Sequence, residues 1–468
     1  MAGKSKTVIL SFIAVFLINC YGALAGEVKN AQIEKVDLNF ATAYELMMTN
    51  NNAIKAVLEE INAKKYEKNA AVGEFLPKIG INTTYIHFNE DIAVETAPLR
   101  LGGTLINVPP TTLQNQDLWL TSVGATWNIF TGGKILALNS AARAKLESSN
   151  QKYRVLTNEL IIELIKRYYG LKFAADVVEV KKQVADTTKQ HLEDAKKLEA
   201  QGIIPKSERL HAQVAHRQAQ RDYNTALKDA DIIEEGLKTL IKADNIDLTG
   251  VKVAPCSCLF IYEQALPKLA DFKQAAMKDN PNLKQMEAKA KLAQANYRSK
   301  AANYSPTVSL FAYDILGASN LSHQIPTFAV GAKADMLLFD GFSRYNNLKA
   351  ADAVRKQVKY ETIDTKNNIE SLVTKNYNEV FKYKEQYEST DQSVESAQEA
   401  LRTAALAFQE GVGTSLAVID AQTALSSVKI QRLNALYNYD VMLAELLSTN
   451  GSAEGILQYI KNSREEHL

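Results

Sequence analysis

Residues that interrupt or cross-link a chain are scarce in this sequence, which has 3 cysteines, 10 prolines and 21 glycines among 468 residues. So few cysteines exclude a disulfide-rich scaffold and a cysteine-rich zinc module. The scarcity of proline and glycine predicts long, uninterrupted elements, mainly helices. The 54 basic and 53 acidic side chains almost cancel, so the chain lacks the basic excess of a nucleic-acid-binding protein.

Catalytic and metal-binding motifs are lacking as well. No pair among the six histidines has the H-E-x-x-H spacing of a zinc enzyme. The segment 131–134 ends like a phosphate-binding loop, but Asn128 replaces the first glycine of that motif and Ile135 replaces its final hydroxyl residue. The sequence therefore predicts a protein that is not an enzyme and that uses no cofactor or metal.

Long apolar runs are confined to the N-terminus, where Lys4 and Lys6 precede the apolar stretch 8–18 and the small-x-small motif 23–25. This pattern predicts a secretory signal peptide at 1–25 and a mature chain that starts at Gly26. Two alternatives stay open, a membrane anchor and lipoprotein processing at Cys20. Beyond Gly26 no stretch of 18 apolar residues occurs, so membrane insertion would require β-strands, lipid or surface contact.

The rest of the chain consists of two copies of one unit. Residues 51–55 align with 280–284 at an offset of 229, whereas residues 130–132 align with 339–341 at an offset of 209. The first copy therefore carries 20 extra residues between 77 and 130, in a polar stretch that a loop can absorb. The predicted units are a first repeat at 26–250, an inter-repeat linker or equatorial segment at 251–270, a second repeat at 271–450 and a C-terminal tail at 451–468.

Each repeat contains a span of 68 residues, 134–201 or 343–410, with a single glycine and no proline in the two together. Such a span would form a helix about 100 Å long. Apolar residues recur every three or four positions, as at Leu160, Leu164 and Tyr168, which predicts a narrow coiled-coil seam. An ordinary helical bundle is the alternative. A second helix follows a tight turn in each repeat, at about 205–245 and about 414–448.

Alternating segments predict four strands, at about 78–89, 118–130, 307–316 and 327–339. One face of the second strand carries Trp119 and Trp127, and the offset of 209 aligns Phe328 with Trp119. The two tryptophans would lie about 26 Å apart along the strand, which suits a lipid-facing apolar band with aromatic edges. A half-buried strand in a soluble sandwich also alternates and is the alternative.

Four strands cannot close a barrel, and an open sheet edge is not tolerated in lipid. Closure therefore requires several chains, and a trimer would supply twelve strands, within the range of outer-membrane barrels. The predicted fold is an α + β membrane protein with an internal two-fold repeat. Such a twelve-stranded barrel, with four strands per chain, would continue into a quasi-sixfold tube of the long helices.

Four segments carry a resemblance to the TolC-type outer-membrane efflux proteins: 75–79, 127–134, 339–341 and 411–422. The last segment is similar to the second helical-hairpin tip of that family, and the resemblance extends from about Leu38 to about Leu447. It implies a homotrimer in the cell outer membrane of a Gram-negative type envelope, extending into the periplasm. The implied fold is a trimeric 12-stranded outer-membrane β-barrel, with four strands per chain, continued by a long periplasmic α-helical coiled-coil barrel. It also implies three kinds of partner: a periplasmic membrane-fusion adaptor, an inner-membrane pump of the RND or ABC type, and outer-membrane lipid.

The function implied by the resemblance is that of an exit duct in a tripartite efflux or type I secretion system. The duct would pass substrate from the pump and adaptor to the exterior. The alternative is a non-conducting periplasmic coiled-coil adaptor or structural envelope protein. Paired hairpins with amphipathic strands at their far end favour the duct, because adaptors usually carry a single hairpin attached to small β-domains.

The resemblance also points to residues at the periplasmic mouth, which family members close with acidic side chains. Asp420 matches one acidic position of the family, whereas Ala417 stands at another; Glu208, followed by Arg209, is the first-repeat equivalent of Ala417. A ring of Asp420 and Glu208 would select cations and form ion pairs with Arg209 or Lys206. Solvated helix-turn charges are the alternative. The predicted turn residues of the hairpin tips are Gly202, Gly411 and Gly413.

Overall fold

The computed structural model describes residues 39–95, 97–106, 110–241, 259–262, 265–319, 326–451, 453–461 and 464–465. The predicted signal peptide, Cys20 and most of the first half of the predicted linker lie outside these residues. Among the helices that are described, none combines the length and the apolar composition that crossing a bilayer demands.

The first repeat begins with two helices, continues with six strands and ends with two long helices. Its elements are α1 (Phe40–Asn50), α2 (Asn52–Gly73), β1 (Lys78–His87), β2 (Ile92–Val94), β3 (Leu99–Leu101), β4 (Thr104–Ile106), β5 (Thr111–Gln114), β6 (Asp117–Phe130), α3 (Lys134–Ala200) and α4 (Lys206–Ile241). A short strand, β7 (Phe260–Ile261), lies between the repeats.

The second repeat follows the same order without the four short strands. Its elements are α5 (Leu269–Asp279), α6 (Pro281–Ala301), β8 (Thr307–Ser319), β9 (Phe328–Asp335), α7 (Ser343–Gln409) and α8 (Ser415–Thr449). The chain then forms α9 (Ile456–Lys461) and β10 (Arg464–Glu465), and β10 pairs with β7.

An asparagine divides the first two helices of each repeat. Asn51 and Asn280 have extended backbones, with ψ near 124°, which ends the preceding helix. Each side chain then caps the next helix: Asn51 accepts from Ala53 N at 2.9 Å, and Asn280 accepts from Asn282 N at 3.0 Å. A short polar side chain thus ends one helix and begins the next at both copies of the position.

The four long strands form one antiparallel sheet in the order β1-β6-β8-β9. The two repeats meet at the β6–β8 ladder, so β1 and β9 are the sheet edges. The predicted strand at 327–339 is too long, because β9 ends at Asp335. Asp335 pairs with Thr307, the first residue of β8, and the preceding Pro306 has no N–H with which to extend the ladder.

The 20-residue insertion of the first repeat was predicted to be a loop, but much of it forms paired strands. β2 pairs with β5 and β3 pairs with β4, so the segment rises from the ends of β1 and β6 as a hairpin. Gly102 and Gly103 form its turn with φ of 59° and 88°, a left-handed conformation that glycine adopts without strain.

The helices form a layer with α3 at its centre. Near the sheet, α3 packs between α2 and α6, and α7 lies beyond α6. Towards the hairpin tips, α3 packs between α4 and α8, and α7 lies beyond α8. The layer therefore has the same two borders as the sheet: first-repeat elements (β1, α2 and α4) on one side, and second-repeat elements (β9 and α7) on the other.

The main hydrophobic core lies around the middle of the long helices. Leu164 and Tyr169 of α3, Phe260 of β7 and Tyr439 of α8 are buried together there. Asp440, fully buried beside them, accepts a hydrogen bond from Phe260 N at 3.3 Å through Oδ2. This core attaches the inter-repeat strand to the helical layer, and we call it the equatorial core.

Candidate functional site at the hairpin tips

Each helical hairpin turns over a short segment whose glycines adopt left-handed backbones. Gly202 has φ of 73° after α3, and Gly411 has φ of 75° after α7. Glycine ends a helix in this way because it has no Cβ to clash. Gly413 is needed for a different reason, since a Cβ there would lie 2.8 Å from Phe408 N.

The two tips are joined through Ser415, the first residue of α8, which is fully buried. Its backbone N–H donates to Glu208 Oε2 at 2.6 Å, so a first-repeat carboxylate caps a second-repeat helix. Its hydroxyl forms a hydrogen bond of 2.6 Å with Nε2 of His191 on α3. A carboxylate at a helix N-terminus is stabilised by the free N–H groups and by the helix dipole. We call His191, Glu208 and Ser415 the Ser415 cluster.

An apolar patch surrounds the Ser415 cluster and contains residues of both hairpins. The His191 and Phe408 rings lie 4.5 Å apart between centroids. The buried members of the patch are Leu192, Ala195, Ile204, Ala212, Phe408 and Val418. Ile203 also reaches Gly411, where a Cβ would lie 2.8 Å from its Cγ2. Within one chain the tips are therefore joined by buried hydrogen bonds inside an apolar contact.

Burial controls the charge of His191. Desolvation lowers the pKa of its imidazole, and the nearby carboxylates of Asp194 and Glu208 offset part of that effect. The ring is therefore neutral at pH 7. Beside it, a groove of about 280 Å³ between α3, α7 and α8 has Asp194 on one wall and Arg402 on another.

The predicted mouth residues do not form one group in the chain. Glu208 bonds to Ser415 N, whereas Arg209 pairs with Glu199 at 2.5 Å and donates to Gln213 at 3.0 Å. Glu208 and Arg209 therefore do not pair with each other within one chain, and ion pairs of Glu208 or Asp420 with Arg209 or Lys206 around an assembled mouth stay a prediction. Consecutive helix residues point in different directions, so Glu208 faces the second hairpin and Arg209 faces back along its own.

The other two predicted mouth residues, Asp420 and Lys206, are exposed and have no hydrogen-bond or ion-pair partner among the described side chains. Sequence reasoning missed His191 and Ser415. They are 224 residues apart in the chain, and the only local signals were a histidine in an apolar seam and a serine at a helix start.

The opposite end of the molecule presents apolar side chains outward. Trp119, Trp127 and Phe328, predicted to face lipid, are 54%, 45% and 60% exposed. Trp119 lies 5.0 Å from Tyr85 between ring centroids, and Trp127 donates from Nε1 to the Phe75 carbonyl at 2.8 Å. An exposed apolar sheet face of this kind is an interaction surface.

Comparison with known proteins gives one family and a consistent fold. The family described as outer membrane efflux protein matches residues 43–241 and 273–452. The alkaline protease secretion protein AprF of Pseudomonas aeruginosa is 21% identical over 303 residues, which are 64% of this chain and 62% of that protein. The chain thus matches less than two thirds of this relative's length.

Solved structures share the fold at low identity. The outer membrane protein VceC of Vibrio cholerae superposes with a TM-score of 0.72 at 13% identity, covering 88% of this chain and 96% of that one. The CmeC outer membrane channel of Campylobacter jejuni superposes with a TM-score of 0.72 at 16% identity, covering 94% of each chain.

Proposed function

The chain belongs to the outer membrane efflux protein family, and we propose that it forms the exit duct of a tripartite efflux or type I secretion system. Membership places it in the cell outer membrane with an extension into the periplasm, and it makes the chain a channel component and not an enzyme. The duct would receive substrate from an inner-membrane pump through a periplasmic adaptor.

One observation carries the proposal. The internal repeat relates each free border of the chain to one side of the contact between its two repeats. Inside the chain, β6 and α3 of the first repeat lie against β8, α6 and α8 of the second. The repeat relates β6 to β9 and α3 to α7, and it relates β8, α6 and α8 to β1, α2 and α4. The border formed by β9 and α7 should therefore bind the β1, α2 and α4 border of another copy.

Such a contact is head-to-tail, and a head-to-tail contact closes into a ring when its rotation permits. The free borders carry apolar side chains that such a ring would cover. Tyr66 and Val214 on one border are 74% and 67% exposed, and Tyr360 on the other is 70% exposed. Three copies would give the twelve strands expected from the TolC-type resemblance, with outer-membrane lipid around them.

The partners follow from the same proposal. AprF is a secretion protein by name and CmeC is a channel by name, which supports a conduit that works with a pump of the ABC or RND type. A periplasmic membrane-fusion adaptor would dock at the end formed by the hairpin tips. Nucleic acid has no place in this function.

Asp420 is the residue we propose for the periplasmic aperture. Its carboxylate is exposed near the start of α8, free of partners among the described residues. Three such carboxylates around a narrow opening would attract cations and repel anions. Glu208 serves a different purpose in this proposal, because it caps α8, and Lys206 lies on the border that faces the next chain.

The first test is the native mass and location of the mature protein, measured in detergent-extracted outer membrane and in osmotic-shock fluid. The expected result is a detergent-dependent particle of about 150 kDa, three chains without their signal peptides, that conducts ions in a planar bilayer. A monomer in the shock fluid would contradict the duct and leave the non-conducting adaptor or structural protein.

A further inference from the structure

A groove of about 690 Å³ lies between α3 and α6, in the part of the helical layer next to the sheet. Small side chains from both helices form its floor, and two of them, Ala144 and Ala295, are buried. Because alanine has no atoms beyond Cβ, the two helices leave between them a hollow that larger side chains would fill. We call this hollow the α3–α6 groove.

The rim of the α3–α6 groove is basic. Its cations are Arg143 of α3 with Lys291 and Arg298 of α6, all of them exposed and without a carboxylate partner among the described residues. The carboxylate that lines the groove belongs to Glu147, which accepts a hydrogen bond from Gln151 Nε2 at 2.7 Å. Three cations beside one carboxylate form a positively charged site, and guanidinium and ammonium groups bind phosphate oxygens.

The α3–α6 groove opens on the face of the helical layer that the equatorial segment covers further down. Arg143 and Arg154 lie about three turns apart on one face of α3. Arg154 donates to the Gly451 carbonyl at 3.0 Å, so the segment around Gly451 lies over this face of the helix. In a closed ring such an added segment fits on the convex outer side of the layer, because the concave side encloses the lumen.

The apolar face of the sheet points in the same direction. Ile315 N donates to the Thr327 carbonyl at 2.7 Å, so the odd-numbered residues in the first part of β8 turn their N–H groups towards β9. For L-residues this fixes the face from which the even-numbered side chain of Leu310 projects, together with its partner Trp127. The helices follow the order of the strands, and their right-handed turn places the groove on this same face.

The α3–α6 groove lies just below the apolar belt of that face. Trp127 and Ile129 are exposed at the lower end of β6, and Leu136, which is 64% exposed, extends the belt into the first turn of α3. Arg143 lies about 10 Å further along the same face of α3. Its side chain tilts back towards the start of that helix, at the sheet. The headgroup region of a leaflet extends about 5–8 Å beyond the hydrocarbon, so the guanidinium reaches headgroup depth.

The repeat supplies a contrast at the contact between chains. It relates Ala295 to Tyr66 and Arg143 to Asp352. A tyrosine ring stands where the groove has an alanine, and Asp352 forms an ion pair with Lys356 at 2.9 Å. The between-chain contact at the same depth therefore lacks both the hollow and the unpaired arginine.

We propose that the α3–α6 groove binds the headgroup of an anionic phospholipid from the periplasmic leaflet of the outer membrane, one molecule per chain. The phosphate lies between Arg143 and Arg298, and the acyl chains pass over Leu136 along the apolar sheet face. The basic rim selects an anionic headgroup over a zwitterionic one, whose own cation it repels. This inference rests on the proposed function, because only the closed ring turns this face towards lipid.

The test is lipid binding to the purified full-length protein in detergent, measured by native mass spectrometry. The mass of the particle is recorded before lipid is added. Dioleoylphosphatidylglycerol or dioleoylphosphatidylcholine is then added in steps. We expect three phosphatidylglycerol molecules on a particle of three chains, and binding of phosphatidylcholine that is weaker by about tenfold or more.

Matched variants locate the binding site. Arg143→Gln with Arg298→Gln should weaken phosphatidylglycerol binding about tenfold to thirtyfold. The control, Lys65→Gln with Lys349→Gln, removes two exposed cations at the same depth on the border helices α2 and α7 and should change the affinity less than about twofold. Glu147→Gln should tighten binding about twofold to fivefold, an effect that damage to the fold cannot produce. All three proteins should keep the mass of the parent particle.

Three outcomes would overturn the inference while leaving the three-chain particle and its proposed function intact. The first is no preference for phosphatidylglycerol over phosphatidylcholine, or no bound lipid. The second is an equal loss in the Lys65→Gln and Lys349→Gln control, which would assign binding to the basic surface in general. The third is displacement of the lipid by an equal concentration of glycerol 3-phosphate, which would make the groove a site for a soluble anion. A particle with the mass of one chain, seen before lipid is added, would instead remove the proposed function and with it the lipid-facing position of the groove.

Discussion

The equatorial core and the hairpin tips lie along the same helices and are held together in different ways. The equator buries large side chains from helices of both repeats and from the inter-repeat strand β7, among them Tyr169, Phe260 and Tyr439. The tips bury a small patch around the Ser415 cluster, and Val412 and Leu416 project into solvent. This difference predicts that the equator contributes more to the stability of the chain than the tips do.

Removing volume from the equator should have the largest effect. Leu164 is fully buried at the centre of α3, and Leu164→Ala should lower the free energy of unfolding by about 2–5 kcal/mol. Urea unfolding followed by circular dichroism measures the change. Leu416→Ala is the matched control, because Leu416 is 56% exposed at the tip and should change stability by about 0.5 kcal/mol or less. Equal losses would remove the contrast between the two regions.

The equator also contains a buried acid whose effect depends on pH. Desolvation raises the pKa of Asp440 well above its ordinary value, and the Phe260 N–H opposes this only in part. The folded state therefore holds the proton more tightly than the unfolded state. Stability is full below the ordinary aspartate value and decreases as pH rises towards the folded pKa.

Asp440→Asn should remove that dependence and raise the free energy of unfolding at pH 8 by about 1–3 kcal/mol. Urea unfolding at pH 5 and pH 8 gives the comparison, with wild type losing more stability across this range than the variant. If both proteins show the same difference between the two pH values, the folded state holds the Asp440 proton no more tightly than the unfolded state. Asp229→Asn, an exposed acid on α4, is the control for general charge effects.

The sequence predicts the long helices and the four main strands through local signals and the repeat. The offset of 209 and the glycines at 202 and 411 locate both hairpin turns. The end of β9 depends on Pro306 in the neighbouring strand, which no pattern inside β9 reveals. Likewise, the contact of His191 with Ser415 depends on how two hairpins pack, so spacing along the chain carries no trace of it.

Acid should weaken the contact between the tips, whereas it should not weaken the equator. Because burial lowers the pKa of His191, the docked tips bind a proton less readily than separated tips. Docking is complete above the ordinary histidine value of about 6.5 and weakens as pH falls below it. The charged groups that face the ring or line its groove are Asp194, Glu208 and Arg402.

Hydrogen-exchange protection of the first turn of α8 should therefore fall about threefold to tenfold between pH 7.5 and pH 5.5, after correction for intrinsic rates. His191→Gln retains a hydrogen-bonding side chain without titrating, so its protection should stay constant. The amides around Leu164 report on the equator, where protection should not fall, because a lower pH favours the folded state with Asp440 protonated. Constant protection in the wild type, or an equal decrease in His191→Gln, would assign the acid response to another group.

Of the variants considered, Asp420→Asn should change the structure least, and it should clearly change ion selectivity. Asp420 is exposed and unpaired among the described residues, so Asp420→Asn should alter neither stability nor assembly. If three Asp420 carboxylates surround the aperture, their loss should reduce the cation-to-anion permeability ratio about twofold to fivefold at low salt, with less effect at high salt where charges are screened. Reversal potentials under a salt gradient measure this ratio.

Asp229→Asn removes an equal charge more than a turn away from either tip and should leave the ratio unchanged. A decrease in both variants would mean that charges along the whole helical wall, and not Asp420 in particular, set the selectivity.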